Sequence, residues 1–330
     1  WNKFIYQNEH KTENSWVYLF EYIKSSIIDI LSEFCPREEK KILKSRIWDD
    51  NFKEILFKNL IKYKKKSLII WCFLQCNYYI NQHIEKKMYN EELIKNMDFI
   101  ISKGSFFENV DELYLDPLLV ISAPLFSLSY RNQNNKELFQ KRYDTYISMC
   151  PDILYNGVAD RTISQDGKLK IGFMSDFLTK DSSVLRDRMG IIENLDSNLF
   201  DIHLIISIEP ENIKGTLSKE FYERNKDKFL ILDRTIQKSR EQISELNLDV
   251  LVFCEIGMAV KNLLLSFSRM APVQINTWGH SDTSGHKDID YYISSKIFET
   301  EDAQDNYSEK LIKFDSLGTY YFSPEKQFLG

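Results

Sequence analysis

Apolar positions fall into two different rhythms along this chain. From Ser15 to Cys150 they recur at steps of three and four, as in Trp16, Leu19, Phe20, Ile23, Ile27, Ile30, Leu31 and Phe34, which predicts a helix closed by Pro36. The same rhythm predicts helices over Arg37 to Tyr63, Ser67 to Lys87 and Asn90 to Ile101, and a last one over Lys136 to Met149, capped by Asn134-Asn135. Asp116-Pro117 and Ala123-Pro124 mark breaks between them. These helices read as stacked hairpins, although no self-similarity of about 34 residues identifies a known helical repeat.

After Lys168 short apolar runs alternate with helical stripes. Strands are expected at Leu169 to Met174, Ile202 to Ile208, Phe229 to Leu232, Val250 to Cys254, Val273 to Asn276, Tyr291 to Ser294 and Leu311 to Phe314. Helices fall between them, at Ser183 to Leu195, Gly215 to Asn225, Thr235 to Asn247 and Leu263 to Arg269. Such alternation implies an α/β class with a mostly parallel sheet and right-handed crossovers, one Rossmann-like lobe in all. The polar, glycine-bearing stretch between Cys150 and Lys168 reads as a boundary. The expected organisation is therefore a helical domain over 1–155, a linker over 156–167 and an α/β lobe over 168–330.

Composition narrows the partners. A net charge of −6 and a pI near 5.6 speak against a phosphate-backbone binder, so nucleic acid is not expected. The lysine clusters at Lys40, Lys41 and Lys44 and at Lys62 to Lys66 read as solvated helix faces. Five cysteines, Cys35, Cys72, Cys76, Cys150 and Cys254, form no Cys-x-x-Cys pair, which suggests neither a disulfide framework nor a zinc site and fits a reducing, cytoplasmic setting. Cys72 and Cys76 read as small buried hydrophobes. No run approaches the ~18 apolar residues of a membrane span, and no signal peptide is visible. The dinucleotide fingerprint Gly-x-Gly-x-x-Gly is absent, which removes support for a hydride-transfer cofactor, and the five scattered histidines offer no metal triad. The 18 Tyr and 22 Phe suit large cores as well as sugar-stacking platforms.

One segment departs from generic globular sequence: Ala271-Pro272-Val273-Gln274, then Trp278-Gly279-His280, then Thr283-Ser284-Gly285, Asp290-Tyr291 and Tyr307-Ser308-Glu309-Lys310-Leu311. In these motifs and their order, the segment resembles the protein O-linked N-acetylglucosamine transferase family, glycosyltransferase family 41. The likeness extends back through Phe267-Ser268-Arg269 and Ile256-Gly257-Met258 to Lys170-Ile171-Gly172-Phe173-Met174-Ser175-Asp176-Phe177, about residues 168 to 322. It implies a two-lobe (GT-B type) glycosyltransferase of which this chain carries the helical domain and the N-terminal lobe. The second lobe would begin near Gly330. Together with the start at Trp1, this makes the chain read as part of a longer protein.

The resemblance also implies an activity: transfer of N-acetylglucosamine or another hexose from a uridine diphosphate sugar to a protein side chain, with no metal or other cofactor. A nucleotide sugar and an acceptor protein are then the partners, with no membrane involved. Inverting transfer needs an acceptor nucleophile, stabilisation of the leaving diphosphate and a cleft that orders both substrates. Family members place a histidine soon after Ser-Asp-Phe, but here that slot holds Lys180 or Ser182, neither of which replaces a neutral imidazole. Lys180 reads either as a phosphate-facing cation or as an exposed loop lysine. Asp176 and Asp181 read as a base or as acceptors for nearby amides.

By the same resemblance Gly279 and His280, beside Trp278, face the donor sugar; the alternative for His280 is a packing histidine. Thr283, Ser284 and Gly285 offer hydroxyls and amides to a ligand or cap the next turn. Glu255, at the end of a strand, either contacts a ligand or caps Met258-Ala259. Arg269 is expected in a structural ion pair rather than on phosphate, and His286 is expected to face solvent. A non-catalytic scaffold of the same build, or an epimerase or phosphorylase sharing the two-lobe plan, are the competing readings.

Overall fold

The computed structural model describes residues 49–74, 86–115, 128–129, 133–158 and 167–322, and these divide between two compact units, Trp1–Cys72 and Phe73–Gly330. The expected helix over Trp16 to Phe34 and the breaks at Pro117 and Pro124 lie outside the described residues.

In the first unit, α1 (Asp50–Lys62) starts where Asp49 accepts a hydrogen bond from the Phe52 amide at 2.8 Å. It buries Phe52, Leu56 and Leu60, spaced four apart on one face. Lys64, with φ of 55°, ends it before α2 (Lys66–Leu74).

The second unit is built around a seven-stranded sheet. Its strands are β2 (Leu169–Met174), β3 (Phe200–Ile206), β4 (Phe229–Ile231), β5 (Val250–Phe253), β7 (Val273–Thr277), β8 (Tyr291–Ser295) and β9 (Lys310–Phe314), in the spatial order β4-β3-β2-β5-β7-β8-β9. All neighbours run parallel. The order reverses between β2 and β5, which makes the carboxyl ends of those two strands the switch point where open α/β sheets bind ligands.

Helices α6 (Ser183–Asn194), α7 (Thr216–Asn225), α8 (Ile236–Glu245) and α9 (Val260–Leu265) supply the crossovers. Phe173, Leu204, Ile206 and Val252 of the sheet pack with Leu185, Met189 and Ile192 of α6 and Phe221 of α7. The strand-helix alternation expected from the sequence is thus present in order. β3 starts two residues earlier than expected, at Phe200, and stops at Ile206, where the Ser207 amide donates to Asp176 Oδ1 at 2.5 Å.

Two further strands, β1 (Tyr155–Asn156) and β6 (Ser268–Arg269), form a separate parallel pair. The expected helix over Leu263 to Arg269 accordingly ends at Leu265, with Ser268–Arg269 extended. Pairs of two residues leave no periodicity to read.

The described helices between 86 and 150 belong to the same compact unit as the sheet. α3 (Lys86–Lys103) packs along α5 (Lys136–Met149), where Lys141 Nζ meets Asp98 at 2.6 Å. The opposite face of α5 lies on the lobe: the Tyr143 ring stacks on Phe267 at 5.0 Å and its hydroxyl donates to Asp288 at 2.8 Å. The short helix α4 (Val110–Tyr114) places Asp111 to accept from the Ile236 amide at 2.6 Å, capping α8 from another part of the chain. Asn135 and Asn134 do precede α5, but it is Asn134 that accepts from the Lys136 amide. Asn135 turns inward and donates to Asp282 at 2.7 Å. The polar stretch 156–167 falls within the second unit, and the division between units lies at Cys72/Phe73.

Candidate functional site

The loops after β2, β5 and β7 share the carboxyl end of the sheet, so the two turns singled out in the sequence lie on one rim. Burial decides what each residue there can do.

After β2, Ser175 Oγ accepts from the Phe177 amide at 3.1 Å and opens a single 3₁₀ turn, Asp176–Thr179. Asp176 is engaged with the Ser207 amide. Asp181 accepts from the Ser218 amide at 2.8 Å and from Leu217, so it caps α7, whose own N-cap is Gly215 at φ of 103°. Partial burial pushes the Asp181 carboxyl up, but the amide hydrogen bonds from Ser218, Leu217 and Thr216 together outweigh it and hold the group below its ordinary value. Ser182 caps α6 by accepting from Leu185 at 3.1 Å, and its hydroxyl donates to the Phe177 carbonyl at 2.9 Å. Of the two roles left open for Asp176 and Asp181, acceptance from backbone amides is the one present, and Ser182, expected on a ligand, caps α6. Lys180 remains exposed, its ammonium 5.0 Å from the Phe177 ring.

Glu255, after β5, is fully buried and caps as well. It accepts from the Met258 amide at 2.9 Å, from Ala259 at 3.3 Å and from Asn262 Nδ2. Burial raises its carboxyl to about 8 despite those three donors. Of the two roles left open for Glu255, the cap on Met258-Ala259 is the one present, and no ligand contact is needed to account for its carboxylate.

The turn after β7 is packed rather than open. His280 is 2% exposed; its imidazole stands edge-on to Phe139 at 6.4 Å, and a Cβ on Gly257 would sit 3.4 Å from it. Of the two roles left open for His280, this environment matches the packing histidine rather than the sugar-facing one. Gly279 is required by close approach, because a Cβ there would lie 2.1 Å from the Cys254 carbonyl oxygen. His286, expected to face solvent, is buried between Phe267 and Tyr143, with Nδ1 2.8 Å from Ser266 Oγ. Burial holds its pKa well below the ordinary histidine value, so the ring is neutral.

Thr283 and Ser284 close on Glu309, which is 2% exposed. The carboxylate accepts from Thr283 Oγ1, from both the amide (2.8 Å) and hydroxyl of Ser284, and from Ser308 Oγ at 3.0 Å. Gly285 then passes against α5 at φ of 75°, where a Cβ would come within 2.4 Å of the Phe139 carbonyl carbon. The remaining motifs behave alike. Gln274 bridges the Met270 amide and the Ser268 and Asp288 carbonyls, and Asp290 accepts from the Gln274 amide and from Arg269 at 2.6 Å. The structural ion pair expected for Arg269 is thus present.

Two cations at this rim escaped the sequence reading. Lys261, nearly buried, donates its ammonium to the Asp233 carbonyl, and burial lowers it to about 8. Arg188 stacks on the Trp278 ring at 4.1 Å. The signal for Arg188 was a charge on the apolar stripe of α6, among Val184, Leu185, Met189 and Ile192. Among the described residues no group of three potential ligands stands close enough to hold a metal ion.

No curated protein matches the chain. Among solved structures, a mutant of the O-GlcNAc transferase of Thermobaculum terrenum is similar in fold, with a TM-score of 0.51 at 14% identity, covering 89% of this chain and 58% of that one. The chain thus spans less than two thirds of the length of that enzyme. The family model described as glycosyl transferase family 41 matches residues 146–329, more than half of the chain and the region holding every motif at this rim, and on that match the chain belongs to glycosyltransferase family 41.

Proposed function

We propose that the protein is a glycosyltransferase that moves N-acetylglucosamine or another hexose from a uridine diphosphate sugar to protein side chains. The observation that carries this reading is the clasp between Thr283-Ser284 and Glu309, because it fixes the turn from Trp278 to Asp282 at the carboxyl end of a parallel sheet. A frame of this kind holds substrate-facing backbone in place without itself taking part in chemistry. Exposed Lys180 lies on the same rim and supplies positive charge for a leaving diphosphate. In this reading the reaction needs no metal or organic cofactor, and the acceptor is a cytoplasmic protein. Among the described residues no helix is long and apolar enough to cross a membrane.

A second reading has specific support. With Lys180 or Ser182 in the histidine slot and His280 buried, the rim offers no accessible imidazole among the described residues, which favours a non-catalytic scaffold that keeps the fold for binding. Titration of the full protein with uridine diphosphate, followed by a transfer assay with labelled sugar nucleotides, separates the two. Binding together with transfer supports the enzyme. Absence of binding at millimolar nucleotide, a free energy weaker than about 4 kcal/mol, leaves the scaffold.

A further inference from the structure

Arg188 is a buried charged side chain at the rim whose side-on edge meets no partner among the described residues. It is 2% exposed, and neither Nε nor Nη2 finds a hydrogen-bond partner among the described residues. Those two nitrogens form the side-on edge of a guanidinium, whose two parallel N–H bonds match the paired oxygens of a phosphate or carboxylate. The other buried arginines differ. Arg142 donates through Nη2 to the Ser284 carbonyl, and Arg240 through Nη1 to the Asp152 carbonyl. The carboxylate nearest to Arg188 in sequence is engaged by another group, since Asp187 Oδ1 accepts from the Tyr321 hydroxyl at 2.6 Å.

Position matters as much as the unpaired edge. Helical side chains lean toward the N-terminus of their helix, and for Arg188 that direction leads to the carboxyl ends of the strands. There its guanidinium lies on Trp278, which follows β7, and close enough to Cys254, which follows β5, to influence it electrostatically. The face of the cation is therefore covered by an aromatic ring and its edge is left for a ligand. Burial lowers the Arg188 pKa from its ordinary value, yet a guanidinium stays charged at neutral pH. Leaving such a charge uncompensated is costly, and an anion relieves that cost.

We propose that the Nε/Nη2 edge of Arg188 binds a phosphate group, held bidentate with Trp278 beneath the guanidinium. The segment Gly318 to Phe322 crosses α6 beside it, with the Tyr320 carbonyl over Gly190 and Thr319 donating to the Asp187 carbonyl. An anion reaches the edge by displacing this segment. The assignment deepens the nucleotide-sugar reading, because a diphosphate is the phosphate such a donor would bring, and it rests on that reading only for the source of the anion.

The test uses inorganic pyrophosphate, with acetate in parallel, titrated into the full protein in phosphate-free buffer and read by calorimetry and by Trp278 fluorescence. The wild type is expected to bind pyrophosphate more tightly than acetate. Arg188→Lys, which keeps the charge but loses the fork, is expected to weaken binding by roughly tenfold, and Arg188→Met to abolish it. Without ligand Arg188→Met is expected to melt no lower than the wild type, because an apolar side chain of similar volume replaces an uncompensated ion. Wild-type protein silent to millimolar pyrophosphate, undiminished binding in Arg188→Met or Arg188→Lys, or stronger binding of acetate would each overturn the assignment. So would a melting temperature several degrees lower in Arg188→Met, which reports a counter-ion within the protein. Should Arg188→Met not fold, the tenfold loss in Arg188→Lys decides. Pyrophosphate binding that depends on Arg188, without binding of uridine diphosphate, would keep the anion site and reject the nucleotide-sugar function.

Discussion

Two parts of the lobe, the clasp around Glu309 just before the amino end of β9 and the stacked pair Arg188 and Trp278 at the carboxyl end of the sheet, use buried charge in opposite ways. The carboxylate of Glu309 is surrounded by four donors from Thr283, Ser284 and Ser308, whereas the two donors of the Arg188 edge find no acceptor among the described residues. A buried charge that is fully hydrogen-bonded is part of the scaffold; one left unpaired is either a defect or a binding group. Residues that looked like ligand contacts in the sequence prove to be consumed by the fold, and the unpaired cation comes from the middle of an ordinary helix.

Substitutions sharpen that contrast in proportion to how many partners each leaves behind. Glu309→Ala removes the acceptor of three hydroxyls and of the Ser284 amide, and chemical denaturation is expected to show a loss of about 3–4 kcal/mol. A loss below about 1 kcal/mol would mean that the clasp does not hold the turn. Gly285→Ala brings a methyl group against the Phe139 carbonyl in a backbone region unsuited to side chains, with an expected cost of about 2–3 kcal/mol in the same measurement.

Glu255 gives a pH signature of its own. Its folded carboxyl is raised to about 8 from 4.5, so its contribution is fully present below about pH 4.5 and is lost as pH rises through 8. Between those values the folded chain holds a proton that the unfolded chain has released, which lowers stability by up to about 1.4 kcal/mol per pH unit. Denaturation curves at several pH values should show this slope, and Glu255→Gln should flatten it; an unchanged slope in the variant would assign the effect to another group. The smallest expected change is that of Asp181→Ala, about 1 kcal/mol from losing the cap on α7. If Asp181 served as a base instead, the variant would lose transfer activity while keeping its stability.

The sequence made the sheet legible because fully buried parallel strands are short apolar runs between amphipathic helices, and that pattern is local. Each of the seven main strands was expected within about two residues of its observed limits. The pair β1 and β6 was not, since a two-residue strand has no pattern apart from its partner. The candidate site was legible only as a place. The turns after β2, β5 and β7 mark the carboxyl rim, whereas Asp290-Tyr291 and Tyr307 to Leu311 lead into the amino ends of β8 and β9. The Met258-Ala259 cap on Glu255 was legible, but the exposure of His280, the partners of Thr283 and Ser284 and the third donor to Glu255 depend on Phe139, Glu309 and Asn262. Phe139 and Glu309 are distant in sequence from the residues they cover.

What the chain determines by itself is the order of its strands and helices, its family and the loops where its unusual residues gather. Those follow from periodicity and motif spacing, which are properties of neighbours in sequence. Only the tertiary structure decided which polar groups spend their hydrogen bonds inside the protein and which keep one to offer. Desolvation and partner geometry set that outcome, and both arise when segments far apart in the chain meet, as when Trp278 closes over the face of Arg188.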